Sequence, residues 1–366
     1  MQETSHKDFG QIITRLIQKK SLSREEARQA FVTVLSNQTT DMQQGAFLAA
    51  LAAKGETRQE VAGAWEAIYE TDTVKVSVDT VDPVVDNSGT GMDTFKTFNI
   101  STAASIIAAA GNVPMARHGA RAITSMCGTV DMAESLGVDV ECPAEVVAKS
   151  IETCSIGLFN GTSPQIHPNA LGRILSQICF GSTLNISASL ANPALPTIGV
   201  RGVYSRDMIM PVAQVMKEIG YKRAVVIHGM VNEAGLGMDE ASVSHTTYGA
   251  RFFNDNDIEP FEIDPRKFGM GAHSVEDLKP GPDLAIETRR FVGLIRNREN
   301  GARREAAVLN AGLVFYAAGK TDSIDDGIHM AAGILESGKA FDTLEKWVVT
   351  QNTAPEEGLK KLEQLV

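Results

Sequence analysis

The sequence predicts an α/β protein in two parts: a small N-terminal helical domain over residues 1–75, with part of 168–193 joined to it, and a large α/β domain over 76–366 built on a central, mostly parallel sheet. Three observations carry that reading. From residue 7 to 72, apolar side chains recur at three- and four-residue spacing with no strand signal between them. From about residue 80 the pattern changes to short apolar runs that end in Gly or Asp and lead into helices, as in βαβ units. The 366 residues also exceed one small module, on a prior of roughly 100 to 200 residues per domain.

Taken in order, the first helix carries Phe9, Ile12, Ile13 and Leu16 on one face. A second starts at the Ser-x-x-Glu capping box of Ser23 and Glu26 and presents Ala27, Ala30, Phe31 and Val34. A third runs from about Asp41 through Phe47, Leu48 and Leu51 to the stop at Lys54-Gly55, and Thr57 caps a fourth that carries Val61, Ala62, Trp65 and Ile68. Strands are expected at Val84 to Asp86, Val113 to Arg117, Ile156 to Phe159, Thr197 to Val203 and Ala224 to His228. Helices fit at Thr102 to Ala110, Val130 to Leu136, Ala144 to Thr153, Met210 to Ile219 and Glu305 to Ala318. The stretch from Asn254 to Pro282, rich in Pro, Gly and Asp, reads as a long surface excursion.

Composition narrows the function classes. Hydrophobic residues make up 43% and charged residues 22%, which are globular proportions and exclude a disordered or fibrous chain. The net charge of −11 argues against nucleic acid or an anionic membrane as partner, although a local basic pocket can still hold phosphates. Cys127, Cys142, Cys154 and Cys179 form no C-x-x-C pair, which sets aside a zinc site or disulfide framework and points to a reducing compartment. The polar, amphipathic start lacks the apolar core of a signal peptide, and no stretch approaches about 18 uninterrupted apolar residues, so a cytoplasmic protein is expected.

Three segments carry chemistry. Asp86 to Thr102 leaves a short strand, turns through Gly89 and Gly91, and enters an Ala-rich helix at Ser101 and Thr102. Unsatisfied N–H groups and the positive end of the helix dipole point the same way there, which outlines a diphosphate cradle. A structural turn and cap fits that segment alone equally well. It is neither a nucleotide P-loop, because no Gly-Lys-Ser/Thr follows, nor the dinucleotide fingerprint, because the third Gly is missing. The second segment, Arg117 to Asp131, follows the next strand and gathers two guanidinium groups, His118, and the hydroxyls of Thr124, Ser125 and Thr129. Arg makes bidentate contacts to phosphate, and small hydroxyl residues beside Gly allow close approach. The third, His228 to Glu240, ends in adjacent acids; Asp239 and Glu240 can hold Mg2+ that bridges to a substrate phosphate, or form a solvated acidic turn.

These segments together resemble the anthranilate phosphoribosyltransferase family. The family reads Gly-Thr-Gly-Gly-Asp, Phe-Asn-Ile-Ser-Thr, Lys-His-Gly-Asn-Arg with a Ser/Gly-rich tail ending in Asp, and a His-Gly loop closed by Asp-Glu. Here the same order stands at Gly89 to Asp93, Phe98 to Thr102, Arg117 to Asp131, and His228 to Glu240, and the likeness spans nearly the whole chain. The resemblance implies a nucleoside phosphorylase/phosphoribosyltransferase-like fold, a homodimer, and Mg2+-dependent transfer of a phosphoribosyl group from 5-phosphoribosyl 1-diphosphate to anthranilate or a related aromatic amine. It would give the donor Gly89, Thr90, Gly91, Asp93, Thr97, Asn99, Ser101, Thr102, Arg117, Ser125 and Thr129. It would give the acceptor His118, Gly119, Ala120 and Arg173, and the metal Ser101, Asp239 and Glu240.

Departures from the family pattern concentrate on the acceptor side. Met92 replaces the second Gly of the first loop, Arg117 replaces Lys, Ala120 replaces an Asn beside the acceptor, and Cys127 replaces a Ser. The family's carboxylate-binding Arg position falls at Leu175, with Arg173 the nearest candidate, and Ser187 to Ser189 stand where the family has Leu-Gly-Pro. The resemblance thus implies a kept donor site and a rewritten acceptor site. Two other readings stay open: a nucleoside phosphorylase-like enzyme, and a non-catalytic homologue that binds a nucleotide or other partner. The second would be expected to lose the metal acids and gain a basic surface, whereas this chain has Asp239, Glu240 and a charge of −11.

Overall fold

The computed structural model of the protein describes residues 6–91, 95–121, 127–232, 235–271 and 273–366. It opens with four helices, α1 (His6–Ile17), α2 (Arg24–Leu35), α3 (Asp41–Lys54) and α4 (Arg58–Thr71). Ser23 and Glu26 form the reciprocal capping box that starts α2, and Thr57 and Glu60 form a second one at α4. Glu60 is fully buried and also takes the ammonium of Lys54 at 2.8 Å, which fixes the turn from α3 to α4.

The chain then alternates: β1 (Val85–Gly89), α5 (Ile100–Ala110), β2 (Met115–Gly119), α6 (Thr129–Ser135), α7 (Ala144–Cys154), β3 (Ile156–Asn160), α8 (Leu171–Ile178), α9 (Thr183–Leu190) and β4 (Ile198–Gly202). It continues through α10 (Ile209–Glu218), β5 (Arg223–Met230), β6 (Gly237–Met238), β7 (Thr247–Phe253) and β8 (Glu259–Ile263), and closes with α11 (Leu284–Ile295), α12 (Ala302–Ala318), α13 (Ile324–Glu336), α14 (Lys339–Thr350) and α15 (Pro355–Glu363). The sheet order is β3-β2-β1-β4-β5-β7-β8; β1 to β5 pair in parallel, and β6, β7 and β8 join antiparallel.

Three expectations need correction. β1 and β2 run through Gly89 and Gly119, residues read as loop, because Gly89 still pairs with Gly202 and Gly119 with Asn160. Residues 254–282 are not simply a loop: β8 lies within them and pairs with β7, and short 3-10 helices follow at Pro265–Phe268 and Val275–Leu278. β7 itself had no counterpart in the reading of the sequence. Its partner carries Pro260 and exposed acids, the composition of an edge strand whose outer side must not pair further.

The strand pleat sorts side chains between two cores. Val225 and Ile227 of β5 face a core with α5 and α11–α14, while Ala224 and Val226 face one with α1–α4 and α8–α10. α8 and α9 thus pack with the four N-terminal helices, and the Trp65 indole N–H donates to the Leu190 carbonyl at 2.9 Å. From β1 the chain moves outward to β2 and β3, then returns to place β4 on the other flank of β1. That reversal makes a topological switch point, where the crevice at the carboxyl ends of β1 and β4 is the natural ligand site of an open α/β sheet.

Candidate active site

Gly89, the last residue of β1, opens the crevice. Thr90 N–H donates to the Gly202 carbonyl at 3.1 Å, and Gly91, in the left-handed region at φ +70°, donates its N–H to Asp239 Oδ2 at 2.7 Å. Gly89 is required by this packing: a Cβ there would run into the Asp239 carboxylate. The Thr90 hydroxyl is buried with no hydrogen-bond partner among the described residues. A buried orphan hydroxyl in a turn held this firmly is the condition a bound polar ligand would relieve.

The turn leads to the start of α5. Asn99 occupies the N-cap without capping; its amide donates instead to the carbonyl of Cys127 at 3.3 Å, so the side chain ties the first and second chemical segments together. Ser101 Oγ lies 3.4 Å from Glu240 Oε1. Asp239 and Glu240, both buried, therefore meet the β1 turn and the α5 N-terminus at once. Gly202 holds them there, since its Cα lies against the Asp239 backbone carbonyl with no room for a side chain. Thr97 sits half-buried in the segment between. Asp93 and Ser125, and with them Met92, lie outside the described residues.

The donor set is not uniformly turned to the crevice. Arg117 and Thr102, expected among the donor contacts, are buried against each other: Arg117 Nη1 donates to Thr102 Oγ1 at 2.7 Å and Nε to the Asn87 carbonyl at 3.2 Å. The reason is the pleat. Residues 115 and 117 of β2 face α5, whereas 116 and 118 face the opposite side. Thr129 opens α6 beside Gly119, where a Cβ on Gly119 would lie 2.9 Å from the threonine methyl.

On the opposite pleat stand Asp86, Ser88, His118 and Arg201. Burial raises the Asp86 carboxyl to about 6, against the pull of Arg201, Arg117, the Ser88 hydroxyl and the His118 N–H. Arg201 is buried, and its guanidinium donates to the hydroxyls of Ser88 and Ser189. His118 Nε2 lies 3.2 Å from His167 Nε2. Burial lowers the His118 imidazole to about 3, with His167 and Arg201 pushing the same way. Ala120 sits at the end of this strip and accepts from the Val130 N–H at 3.4 Å.

Arg173 is not part of this arrangement. Its guanidinium donates to Gln44 Oε1 at 3.0 Å and to the Val34 carbonyl at 3.2 Å, which commits it to α2 and α3. The expected acceptor contact is therefore corrected: α8 points residue 173 at the helical bundle. His167, Ser88 and Arg201 were missed by sequence reading. His167 stands alone between Ile166 and Pro168, and nothing in a single sequence ties it to a residue 49 positions earlier.

The acids and hydroxyl at this crevice are hard oxygen donors. Among the described residues no set of three or more His, Cys, Asp or Glu side chains converges. Asp239, Glu240 and Ser101 supply two carboxylates and a hydroxyl, the donor type that Mg2+ takes when substrate oxygens and water complete its shell. Among the described residues no helix is long and apolar enough to cross a membrane.

Comparison with known proteins identifies the family. Residues 81–341 match the glycosyl transferase family α/β domain, and residues 10–71 the helical bundle domain of the same family. Anthranilate phosphoribosyltransferase from Persephonella marina is 34% identical over 91% of this chain and 96% of its own length. The enzyme of that name from Desulfosudis oleivorans is 35% identical over 93% of this chain and 98% of its own. Among solved structures, anthranilate phosphoribosyltransferase from Thermus thermophilus superposes with a TM-score of 0.83 at 30% identity, covering 93% of this chain and 99% of that one. The Saccharomyces cerevisiae enzyme in complex with 5-phosphoribosyl 1-diphosphate and Mg shares the fold, with a TM-score of 0.81 at 20% identity over 95% of this chain and 98% of that one. On sequence, domain order and fold alike, the chain belongs to the anthranilate phosphoribosyltransferase family of glycosyltransferases.

Proposed function

We propose that this enzyme transfers the phosphoribosyl group of 5-phosphoribosyl 1-diphosphate to an aromatic amine, anthranilate or a close relative, and releases diphosphate. The observation that supports this best is the meeting of the Gly89–Gly91 turn, the α5 N-terminus and the Asp239-Glu240 pair at one point of the sheet. Beside the Gly89–Gly91 turn, the Thr90 hydroxyl and the first N–H groups of α5 would bind diphosphate oxygens, with Thr97, Asn99 and Ser101 as neighbouring polar groups and Thr129 on the facing segment. Asp93 and Ser125 join the donor set by family resemblance alone.

Asp239, Glu240 and Ser101 would hold Mg2+, which supplies charge neutralisation at the leaving diphosphate. Asp239 also positions the turn, since its carboxylate accepts the Gly91 N–H. Arg117 acts from beneath: buried and bonded to Thr102 and the Asn87 carbonyl, it braces β1 and α5 and adds positive potential below the anion site. His118, Gly119 and Ala120 would face the acceptor. As the bond to diphosphate lengthens, C1 of the ribose gains positive character and the amine lone pair captures it. Positioning and electrostatics carry such a step without a covalent nucleophile.

The names of the relatives and the complexes of the yeast enzyme with 5-phosphoribosyl 1-diphosphate and Mg, and with 4-fluoroanthranilate, support this reading. A homodimer, a cytoplasmic setting and a place in tryptophan biosynthesis follow from the same relationship as proposals. The test is turnover: Asp239→Ala and Glu240→Ala should each abolish Mg2+-dependent diphosphate release, and unchanged release would remove the pair from the site.

A further inference from the structure

Phe98 stands at the entry to α5, and three segments remote in sequence hold it there. It precedes Asn99, the N-cap of α5, whose side chain does not cap the helix. An apolar residue at that point ordinarily fixes the entry angle of the chain by packing against the fourth residue inside the helix. In α5 that residue is Ala103, which offers a single methyl group. The Phe98 ring is covered instead by the guanidinium of Arg303 in α12, whose Cζ lies 4.1 Å from the ring centroid. Both side chains are buried.

The backbone of Phe98 is held from another side, its N–H donating to the Leu278 carbonyl at 2.8 Å. Glu287 of α11 ties the two contacts into one unit. Its carboxylate is fully buried, takes the Arg303 guanidinium through both oxygens, and accepts the Gly281 N–H at 2.6 Å. One carboxylate thus fixes both the cover on the ring and the segment that takes the Phe98 N–H. Arg303 Nε also lies 3.3 Å from Glu299 Oε2. With its charge matched by carboxylates on contact, Arg303 influences the anion site through the ring it holds and not through free positive charge. Thr288, the next residue of α11, shares a hydrogen bond with Ser135 of α6 at 2.9 Å, so the same helix also backs the second chemical segment.

We infer that Arg303 is a positioning residue for the phosphoribosyl donor: stacked on Phe98 and locked to Glu287, it sets the direction in which the first turn of α5 presents its N–H groups and Ser101 to the diphosphate and metal. The inference rests on the phosphoribosyl-transfer reading for the identity of the ligand. A planar guanidinium lying over an aromatic face is attracted to it and keeps its in-plane hydrogen bonds at the same time, which an ammonium or an aliphatic chain cannot do. A ring free to tilt would carry Asn99 with it and draw the Asn99 amide away from the Cys127 carbonyl.

The test removes the stack without leaving a buried charge. Arg303→Met with Glu287→Gln is neutral at both positions, the glutamine can still accept from Gly281, and Glu299 keeps Arg290 at 3.2 Å. In ligand-free protein, deuterium exchange of residues 95–102, read by mass spectrometry, should run about tenfold faster than in wild type, with the β4 amides unchanged. Calorimetric titration should show affinity for 5-phosphoribosyl 1-diphosphate with Mg2+ lower by about tenfold, the loss of one desolvated cation–π contact, while KM for the amine stays within about twofold. Phe98→Leu, which keeps the ion pair, should cause the same loss of donor affinity, and adding it to the double variant should cause no more. Phe98→Leu alone decides the matter if the double variant does not fold. Unchanged donor affinity in Phe98→Leu, losses that add, or donor and amine KM rising together would overturn the inference and leave Arg303 a residue of the fold. Unchanged exchange of residues 95–102 in the double variant would overturn it as well. A wild type that binds no donor defeats the functional reading instead, and the exchange comparison, made without ligand, tells the two failures apart.

Discussion

Gly89→Ala isolates the contact on which the donor site depends. A Cβ at position 89 would stand 2.5 Å from Asp239 Cγ and 3.0 Å from its Oδ1, closer than real Cβ atoms come. The backbone of Asp239 cannot retreat, because Gly202 lies against its carbonyl. The carboxylate must rotate away, and the 2.7 Å hydrogen bond from Gly91 N–H is lost. A bond to a charged group contributes about 1.5–3 kcal/mol. At about 2.1 cal/mol/K per residue, a chain of 366 residues shifts by about 1.3 °C per kcal/mol, so the melting temperature should fall by roughly 2–4 °C. Asp239 would also leave the position from which it reaches Mg2+, so donor affinity in the presence of the metal should drop at least about tenfold. The assays are thermal denaturation of the free protein and calorimetric titration with 5-phosphoribosyl 1-diphosphate plus Mg2+. Gly91→Ala is the control: its φ of +70° strains alanine, but no atom of the described residues lies within 4 Å of the added Cβ, so the Asp239 carboxylate is not displaced by it. A Gly89→Ala protein with unchanged melting and unchanged donor affinity would refute the role given to Asp239.

Glu287→Ala should cost about 3–5 kcal/mol in urea unfolding, because it leaves the buried Arg303 guanidinium without its main partner and frees the Gly281 N–H; Glu299 at 3.3 Å offsets part of this, and a loss below about 1 kcal/mol would contradict the pairing. His118 titrates near 3 in the fold against 6.5 in the open chain, so the folded state binds fewer protons and the stability present above pH 6.5 is lost as pH falls. Between pH 6.5 and 5.0 the wild type should lose about 1.6 kcal/mol that His118→Asn keeps, and equal acid sensitivity of the two would show that the ring is not held neutral. Arg173→Ala should leave the acceptor KM unchanged and cost about 1 kcal/mol of stability through its bonds to Gln44 and Val34; a tenfold rise in acceptor KM would return Arg173 to the acceptor site.

The helical part of the fold was legible because its signals are local. Ser23 with Glu26 and Thr57 with Glu60 specify helix starts through contacts three residues apart, and both boxes form. The five parallel strands were legible for a similar reason, as short apolar runs, whereas α8 and α9, between β3 and β4, were not read as helices. What escaped was set by pairing across the sheet. β7 and β8 carry weak alternation, and only their antiparallel partners on β5 and on each other make them strands. The direction of Arg117 was hidden in the same way: composition marked it as a phosphate ligand, but the pleat of β2 turns it toward α5 and Thr102. Arg173, two positions from the family's arginine, sits on a helical face that meets α2 and α3 instead. The three chemical segments themselves were visible, because Gly, hydroxyl and acidic residues cluster in each. That Asp239 would close on Gly91 across 148 residues was beyond sequence pattern.

Diphosphate release from 5-phosphoribosyl 1-diphosphate, measured with and without Mg2+ against anthranilate and a panel of related aromatic amines, is the most direct test of phosphoribosyl transfer at this site. Release should require both the metal and a primary amine, and should disappear in Asp239→Ala. No binding of the donor by the wild-type enzyme in the presence of Mg2+ would contradict it.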